Sequence, residues 1–446
     1  MTSDKLRQDA DSILRSSLQA VDPYVAVKAA LSLTGDRLRV GGRSLDLTRY
    51  DRIIAVGAGK AGAPMAQALE DVLGGRLKAG RVVVKDEHTA PTRVVELYEA
   101  SHPVPDERGV AAGHKLAELL KAHADPRTLV FCLLSGGGSA LMVAPAEGVS
   151  LADKQATTRL LLACGADIGE INAIRKHLSQ LKGGNLARLA HPAQVVSLIV
   201  SDVVGDRLDV IASGPTVGDN STWADVAAIL DRYQIRDQAP EPVRRRLAAG
   251  LAGKIPDTPK PGQADLTGVV NLVVASNFQA LEAAAAEARR LGYAPLILSS
   301  SIEGETKDVA RLHAALAQEV RRSGHPLPAP CCLISGGETT VNLGQDFGQG
   351  GRNQEFALAA ALDIKDLPGV LVLSAGTDGT DGPTDAAGAL ADGQTIARGL
   401  AQGLKALDHL DRHDAYPYFK ALGDLIVTGP TRTNVMDVRL VLVAGA

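Results

Sequence analysis

The sequence predicts an α/β protein of two domains built on parallel strands. Three observations lead there. Short apolar runs recur at 53–56, 129–134, 195–200, 269–275, 295–298, 331–334 and 370–373, and each ends at Gly or Ser. Stretches of helical periodicity lie between them, the alternation that parallel sheets covered on both faces require. The length of 446 residues exceeds one ordinary domain of roughly 100–200 residues.

Taken in order, 3–20 reads as an amphipathic helix, with Leu6, Ala10, Ile13, Leu14 and Leu18 at helical spacing. Residues 22–33 read as a second helix. The run at 53–56 is followed by glycines and a helical stretch, and 81–84 is the next strand. Residues 235–266 hold Pro240, Pro242, Pro256, Pro259 and Pro261 and interrupt the rhythm, so the domains are expected at 1–245 and 265–446. The last run, 438–443, is strand-like and fits either sheet.

Composition narrows the function. Lys plus Arg is 47 against 51 for Asp plus Glu, a net −4, so no basic excess marks a nucleic-acid or membrane binder. An apolar fraction of 45 % excludes disorder, and 3 % aromatics argue against a base-stacking surface. The start is charged throughout, without the apolar core of a signal peptide, and no apolar run is long enough to span a bilayer. Cys132, Cys164, Cys331 and Cys332 form no metal-ligand spacing and are expected as free thiols in a cytoplasmic protein.

Five motifs carry the chemistry. Gly57, Gly59 and Gly62, with Lys60 among them, follow a strand and open a helix, the context of an anion-binding turn. Ala61 stands where a Walker loop would place its Mg²⁺ hydroxyl, and Asp86 stands roughly where a dinucleotide fold places a ribose-binding acid. Ser135, Gly136, Gly137, Gly138 and Ser139 form a second turn, with more glycine than a structural turn needs. Asn172, Arg175, Lys176 and Ser179 fall on one side of a helix as a cationic stripe that suits an anionic substrate. Asp202 and Asp206 follow a buried strand and could hold Mg²⁺ or orient a hydroxyl. In the second half, Glu338, Arg352, Asn353, Asp378 and Asp381 stand at strand ends and point to a second anion site.

The stretches SGGGSALMVAP, EINAIRKHLSQLKGGNLA, SLIVSDVVGDRLDVIASGPT, SGGETTV, GGRNQEFAL and SAGTDGTDGPTDAAGA together resemble the class II glycerate kinases, the glycerate 2-kinases with a C-terminal MOFRL-type domain. The likeness extends over nearly the whole chain. It implies an N-terminal Rossmann-like domain, a C-terminal α/β MOFRL-type domain and an active site in the cleft between them. It implies transfer of a phosphoryl group from ATP, with Mg²⁺ or another divalent cation, to D-glycerate, giving 2-phosphoglycerate. The catalytic Lys and Arg of the family match Lys60 and Arg352. With Asp202 as the residue that orients the hydroxyl, these complete the expected catalytic set. Gly57, Gly59, Glu338, Asn353 and Asp378 are expected on the nucleotide. The Ser135–Ser139 turn, Asn172, Arg175 and Lys176 are expected on the substrate or its phosphate, with the glycerate carboxylate near Arg175. Asp202 and Asp206 are expected on the metal. The stretch TRTNVMD departs from the pattern TGTNVND at Arg432 and Met436. The rival readings are an NAD(P)-dependent hydroxypyruvate reductase, suggested by the first glycine turn, and a non-catalytic sensor. The partners expected are small molecules, with no nucleic acid and no membrane, and the chain is expected as a monomer or homodimer.

Overall fold

The computed structural model describes residues 2–445. Its contacts divide the chain into two units. The first comprises Pro23–Ser201 and Asp206–Val274. The second comprises the segment ending at Asp22, Asp202–Gly205, and the chain from Ala275 onward.

The first unit holds a six-stranded sheet in the order Val95–Ala100, Leu77–Lys85, Arg52–Ala58, Thr128–Leu134, Gln194–Val200, Val270–Ala275. Its first five strands pair in parallel, as their continuous apolar runs predict. The chain starts at Arg52–Ala58, winds outward to one edge, then returns to add Thr128–Leu134 on the other side. That reversal opens a crevice at the carboxyl ends of the two central strands. Both glycine turns of the sequence emerge there.

A small antiparallel sheet, Leu31–Thr34, Arg37–Val40 and Arg43–Asp46, replaces the end of the helix expected over 22–33. The helix stops at Ala30. Gly35 and Gly41, at φ 58° and 55°, make the two-residue turns that hairpins prefer. The Pro-rich stretch is not a linker. Val243 and Leu247 of the helix Glu241–Leu251 share a core with Trp223 and Leu230, and Asp257 and Asp265 pair with His177 and Arg188. The division expected at 1–245 and 265–446 differs from that of the contact units, which part between Val274 and Ala275, at the last residue of the strand Val270–Ala275.

The sheet of the second unit runs Ala294–Ile302, Cys331–Gly337, Asp437–Val443, Val370–Gly376, Gly388–Asp392, Leu425–Ile426. Only its first pair is parallel, which corrects the expectation of parallel strands throughout. The closing strand slots antiparallel between two others. A strand buried on both faces has the same apolar pattern whatever its direction. Phe356, Leu358 and Ala314, from the helices Arg352–Asp363 and Thr306–Ser323, pack with Leu333, Val372 and Val441. The helices Ser3–Ala20 and Asn277–Arg290 pack on each other and on the sheet. Leu6, Ala10, Ile13 and Leu14 are the buried stripe of the former. Ser12 Oγ donates to Glu287 at 2.6 Å and Tyr293 to Asp9 at 2.8 Å. The first helix thus belongs with the end of the chain. All four cysteines are free, and no described helix is long and apolar enough to cross a membrane.

Candidate active site

The first glycine turn is packed from within. A Cβ on Gly57 would lie 2.1 Å from the Leu133 carbonyl oxygen, and one on Gly59 (φ 146°) 2.0 Å from Ser135 Oγ. The amide of Gly59 donates to Val83 O, that of Lys60 to Gly136 O at 2.9 Å, and that of Ala61 to Ser135 Oγ at 3.0 Å. The second turn therefore occupies the space and the donors that a pyrophosphate would use. This corrects the expectation that Gly57 and Gly59 hold the nucleotide. What the turn presents is Lys60, whose ammonium makes no hydrogen bond or ion pair among the described residues. Asp86 is clasped by both terminal nitrogens of Arg108, at 2.7 and 2.9 Å.

The second turn borders a cavity of about 580 Å³ within the first unit. Gly137 takes φ 80°, and a Cβ there would meet the His102 ring at 3.0 Å and Lys60 Cγ at 3.4 Å. The amides of Gly136 and Gly137 make no hydrogen bond among the described residues. Ser139 Oγ lies 2.6 Å from Lys182 Nζ and 2.9 Å from Ser213 Oγ, with Asn172 Oδ1 behind Ser213 at 3.5 Å. Lys154, Arg159, Arg175 and Lys182 all line the cavity, and no carboxylate does. Lys154 donates to the Leu178 carbonyl at 2.8 Å. Burial, with Arg175 and Arg246 nearby, pushes the Lys154 pKa down to about 7. Burial, together with Lys154 and Arg175, holds Lys182 well below the ordinary lysine value. Burial lowers Arg175 as well. Burial, then the charges of Lys60 and Lys85, brings His102 to about 4, so its ring is neutral at pH 7. Four basic side chains without a counter-ion, two of them lysines whose charge burial opposes, make a site whose electrostatics are completed by an anion.

Of the expected stripe, Arg175 lines this cavity and Asn172 lies behind Ser213, while Ser179 accepts the amides of Leu181 and Lys182, and Lys176 is not in the cavity wall. It is buried in an ion pair with Asp219 at 3.2 Å, its stem against Gly183, and so serves the framework.

In the second unit, Arg352 is the first residue of its helix. Its Nε and Nη2 donate to Asp437 at 2.8 and 3.0 Å, and its Nη1 to Glu338 at 2.7 Å. Burial opposes its charge, yet Asp437 and Glu338 outweigh that and raise its pKa above the ordinary value. Asp437, fully buried, also accepts from Arg439 at 3.0 Å. Asn353, expected on the nucleotide, is 1 % exposed. Its side chain is consumed by Ser374, Asp381 and Asp437. Asp381 accepts the amides of Asn353 and Gln354, filling the helix start that a phosphate would use. Burial raises it to about 6. Asp378 is half-buried and accepts from the Thr380 amide at 3.1 Å. Arg432 and Met436 take φ 63° and 69°. These are left-handed positions that favour the Gly and Asn of the pattern they depart from.

A family model described as a domain of unknown function, DUF4147, matches residues 9–248, and the MOFRL family matches 331–437. A Pyrococcus horikoshii protein named glycerate 2-kinase is 41 % identical over 438 residues, 98 % of this chain and 97 % of its own. The crystal structure of the Thermotoga maritima glycerate kinase superposes with a TM-score of 0.90 at 40 % identity, covering 99 % of this chain and 100 % of that one. The chain belongs to the glycerate kinase family. A relative from Agrobacterium vitis, 46 % identical over 88 % of this chain and 87 % of its own, is named a putative hydroxypyruvate reductase.

For a glycerate kinase, the fit of a divalent ion matters. No group of three or more His, Cys, Asp or Glu side chains able to hold a metal occurs among the described residues. Asp202 and Asp206 fall in different contact units. Mg²⁺ needs only one or two carboxylates when substrate phosphates supply the remaining oxygens, so the residues fit an ion carried on a nucleotide. Lys154, Lys182, His102 and Arg439 escaped the sequence reading. Lys182 stood out only as the residue before Gly183 and Gly184 that ends a helical stretch. Lys154 lies in a helix whose pattern resembles a solvated face.

Proposed function

We propose that the protein transfers the γ-phosphoryl group of ATP to the C2 hydroxyl of D-glycerate, giving 2-phosphoglycerate and ADP. The observation that carries this reading is the cavity with four basic side chains and no carboxylate, bordered by the turn beside Lys60, in a chain of the glycerate kinase family. Phosphoryl transfer asks for positioning and charge stabilisation rather than covalent groups. In this reading Lys60 neutralises charge on the phosphoryl group in flight, and Arg352, oriented by Asp437 and Glu338, supplies a second fixed cation. Asp202 orients the glycerate hydroxyl and takes its proton as the new P–O bond forms and the bond to the β-phosphate breaks. Asp202 and Asp206 are the carboxylates that would hold Mg²⁺ beside the nucleotide phosphates, where the ion would offset the phosphates' charge.

Two features speak against a reductase. The amides of the first glycine turn are bonded within the protein, and Asp86 is held by Arg108. The test is the full-length protein with ATP, Mg²⁺ and D-glycerate, its product read by phosphorus NMR, beside NADH oxidation with hydroxypyruvate. A phosphorus resonance coupled to the C2 proton is expected. NADH oxidation without ATP-dependent phosphorylation would refute the reading.

A further inference from the structure

The cavity beside the second glycine turn is larger and more apolar than glycerate requires. At about 580 Å³ it lies within the ~300–1,000 Å³ range of pockets that enclose drug-sized ligands. Glycerate carries an oxygen on every carbon and has almost no apolar surface to bury. Yet Val143, Leu151, Leu161, Ile174 and Leu178 are among its lining residues. Ser139, Lys154, Arg159, Arg175 and Lys182 line it as well. A ligand matched to both has an apolar body and a polyanionic tail.

We propose that this cavity is the nucleotide site, with the adenine against the Leu151–Leu161 wall and the phosphates on Lys182, Arg175 and Ser139, leading toward Gly137 and Lys60. The proposal rests on the kinase reading and names its nucleotide pocket. It moves Arg175 from the glycerate carboxylate, where the sequence placed it, to phosphate. Charge and direction both support it. Lys154, Arg175 and Lys182 have no ion-pair partner, which matches a triphosphate better than one carboxylate. The unbonded amides of Gly136 and Gly137 continue the donor track, and a Cβ on Gly137 would lie 3.4 Å from Lys60 Cγ. The first glycine turn, where a dinucleotide fold would seat its phosphates, is filled by Ser135.

The test is calorimetric titration of the full-length protein with MgADP, adenosine and D-glycerate, each alone. Thr158, which lines the cavity from the helix Leu151–Ala163, is replaced by a larger ring, and Lys182 loses its charge. Thr158→Phe is expected to weaken ADP and adenosine by about tenfold or more and leave D-glycerate unchanged. Lys182→Met, a second route should the first variant misfold, is expected to weaken ADP by about tenfold or more and spare adenosine. Loss of D-glycerate binding with ADP retained would overturn the proposal. So would equal loss of both in a folded variant, or no change in either. Wild-type turnover is measured in parallel. Turnover with an unaltered ADP affinity in the variants refutes this pocket alone, and absence of turnover refutes the kinase reading.

Discussion

Replacing Asp437 by Asn removes the charge that two guanidinium groups share in the second unit. Asp437 Oδ1 accepts from Arg352 Nη2 and Asn353 Nδ2, and Oδ2 from Arg352 Nε and Arg439 Nη2. An amide keeps one acceptor and turns two donors against its own N–H groups. Arg352 retains Glu338 and partial exposure. Arg439 is 1 % exposed and retains only Thr339 Oγ1 at 3.2 Å, with Nε and Nη1 already unpaired. Breaking a buried pair and stranding one charge costs ~3–5 kcal/mol. At about 2–4 °C per kcal/mol for a unit of this size, the midpoint of the second unit falls by roughly 6–20 °C. Far-UV circular dichroism during heating reads this, with the first unit's transition as internal reference. In an Arg439→Met background the same substitution should cost less than half as much, because the stranded charge is gone. A drop below about 2 °C, or an equal cost in both backgrounds, would refute the reasoning.

Lys60→Met should lower kcat by roughly 10²–10³-fold with little change in KM, the signature of charge stabilisation used in the transition state; steady-state kinetics check it. Arg432→Gly should raise the unfolding midpoint of the second unit, because it relieves a left-handed φ of 63° at an exposed residue. The expected gain is about 0.5–1 kcal/mol after glycine's entropy cost, read by urea denaturation. Lys154 has its pKa depressed to about 7, so it is largely neutral above that pH until an anion restores its charge. Nucleotide binding at pH 8.5 should therefore take up ~0.5–1 proton, and affinity should fall as pH rises past 7. Calorimetry in buffers of different ionisation heat measures the uptake.

The parallel sheet was legible because its strands are continuous apolar runs followed by turns, a signal contained in a few adjacent residues. Ser3–Ala20 was legible as a helix for the same reason, but not its place, since its partner lies far along the chain. Strand direction in the second sheet left no local trace. Arg352 and the Ser135–Ser139 turn stood out through glycine and charge at strand ends. Gly59 was misread because the ligand of its turn is another turn of the same protein. Asn353 and Lys176 were misread because a polar residue inside a motif looks alike whether it faces a ligand or a buried carboxylate. Lys154 and Lys182 were missed because only the tertiary fold removes them from water.

The helix Ser3–Ala20 is made well before the helix it packs on. Its partner Asn277–Arg290 leaves the ribosome some hundreds of residues later, roughly 13–50 s at ~5–20 residues per second. Over that interval the first unit can fold, while Leu6, Ala10, Ile13 and Leu14 have no sheet to cover. The amphipathic stripe that completes the second unit is thus exposed from the moment it is made. It has to stay unaggregated, shielded by its charged face or by a chaperone, until the strand Asp437–Val443 arrives. A genetic lesion in the codons of this helix is, in physical terms, a lesion in the second unit.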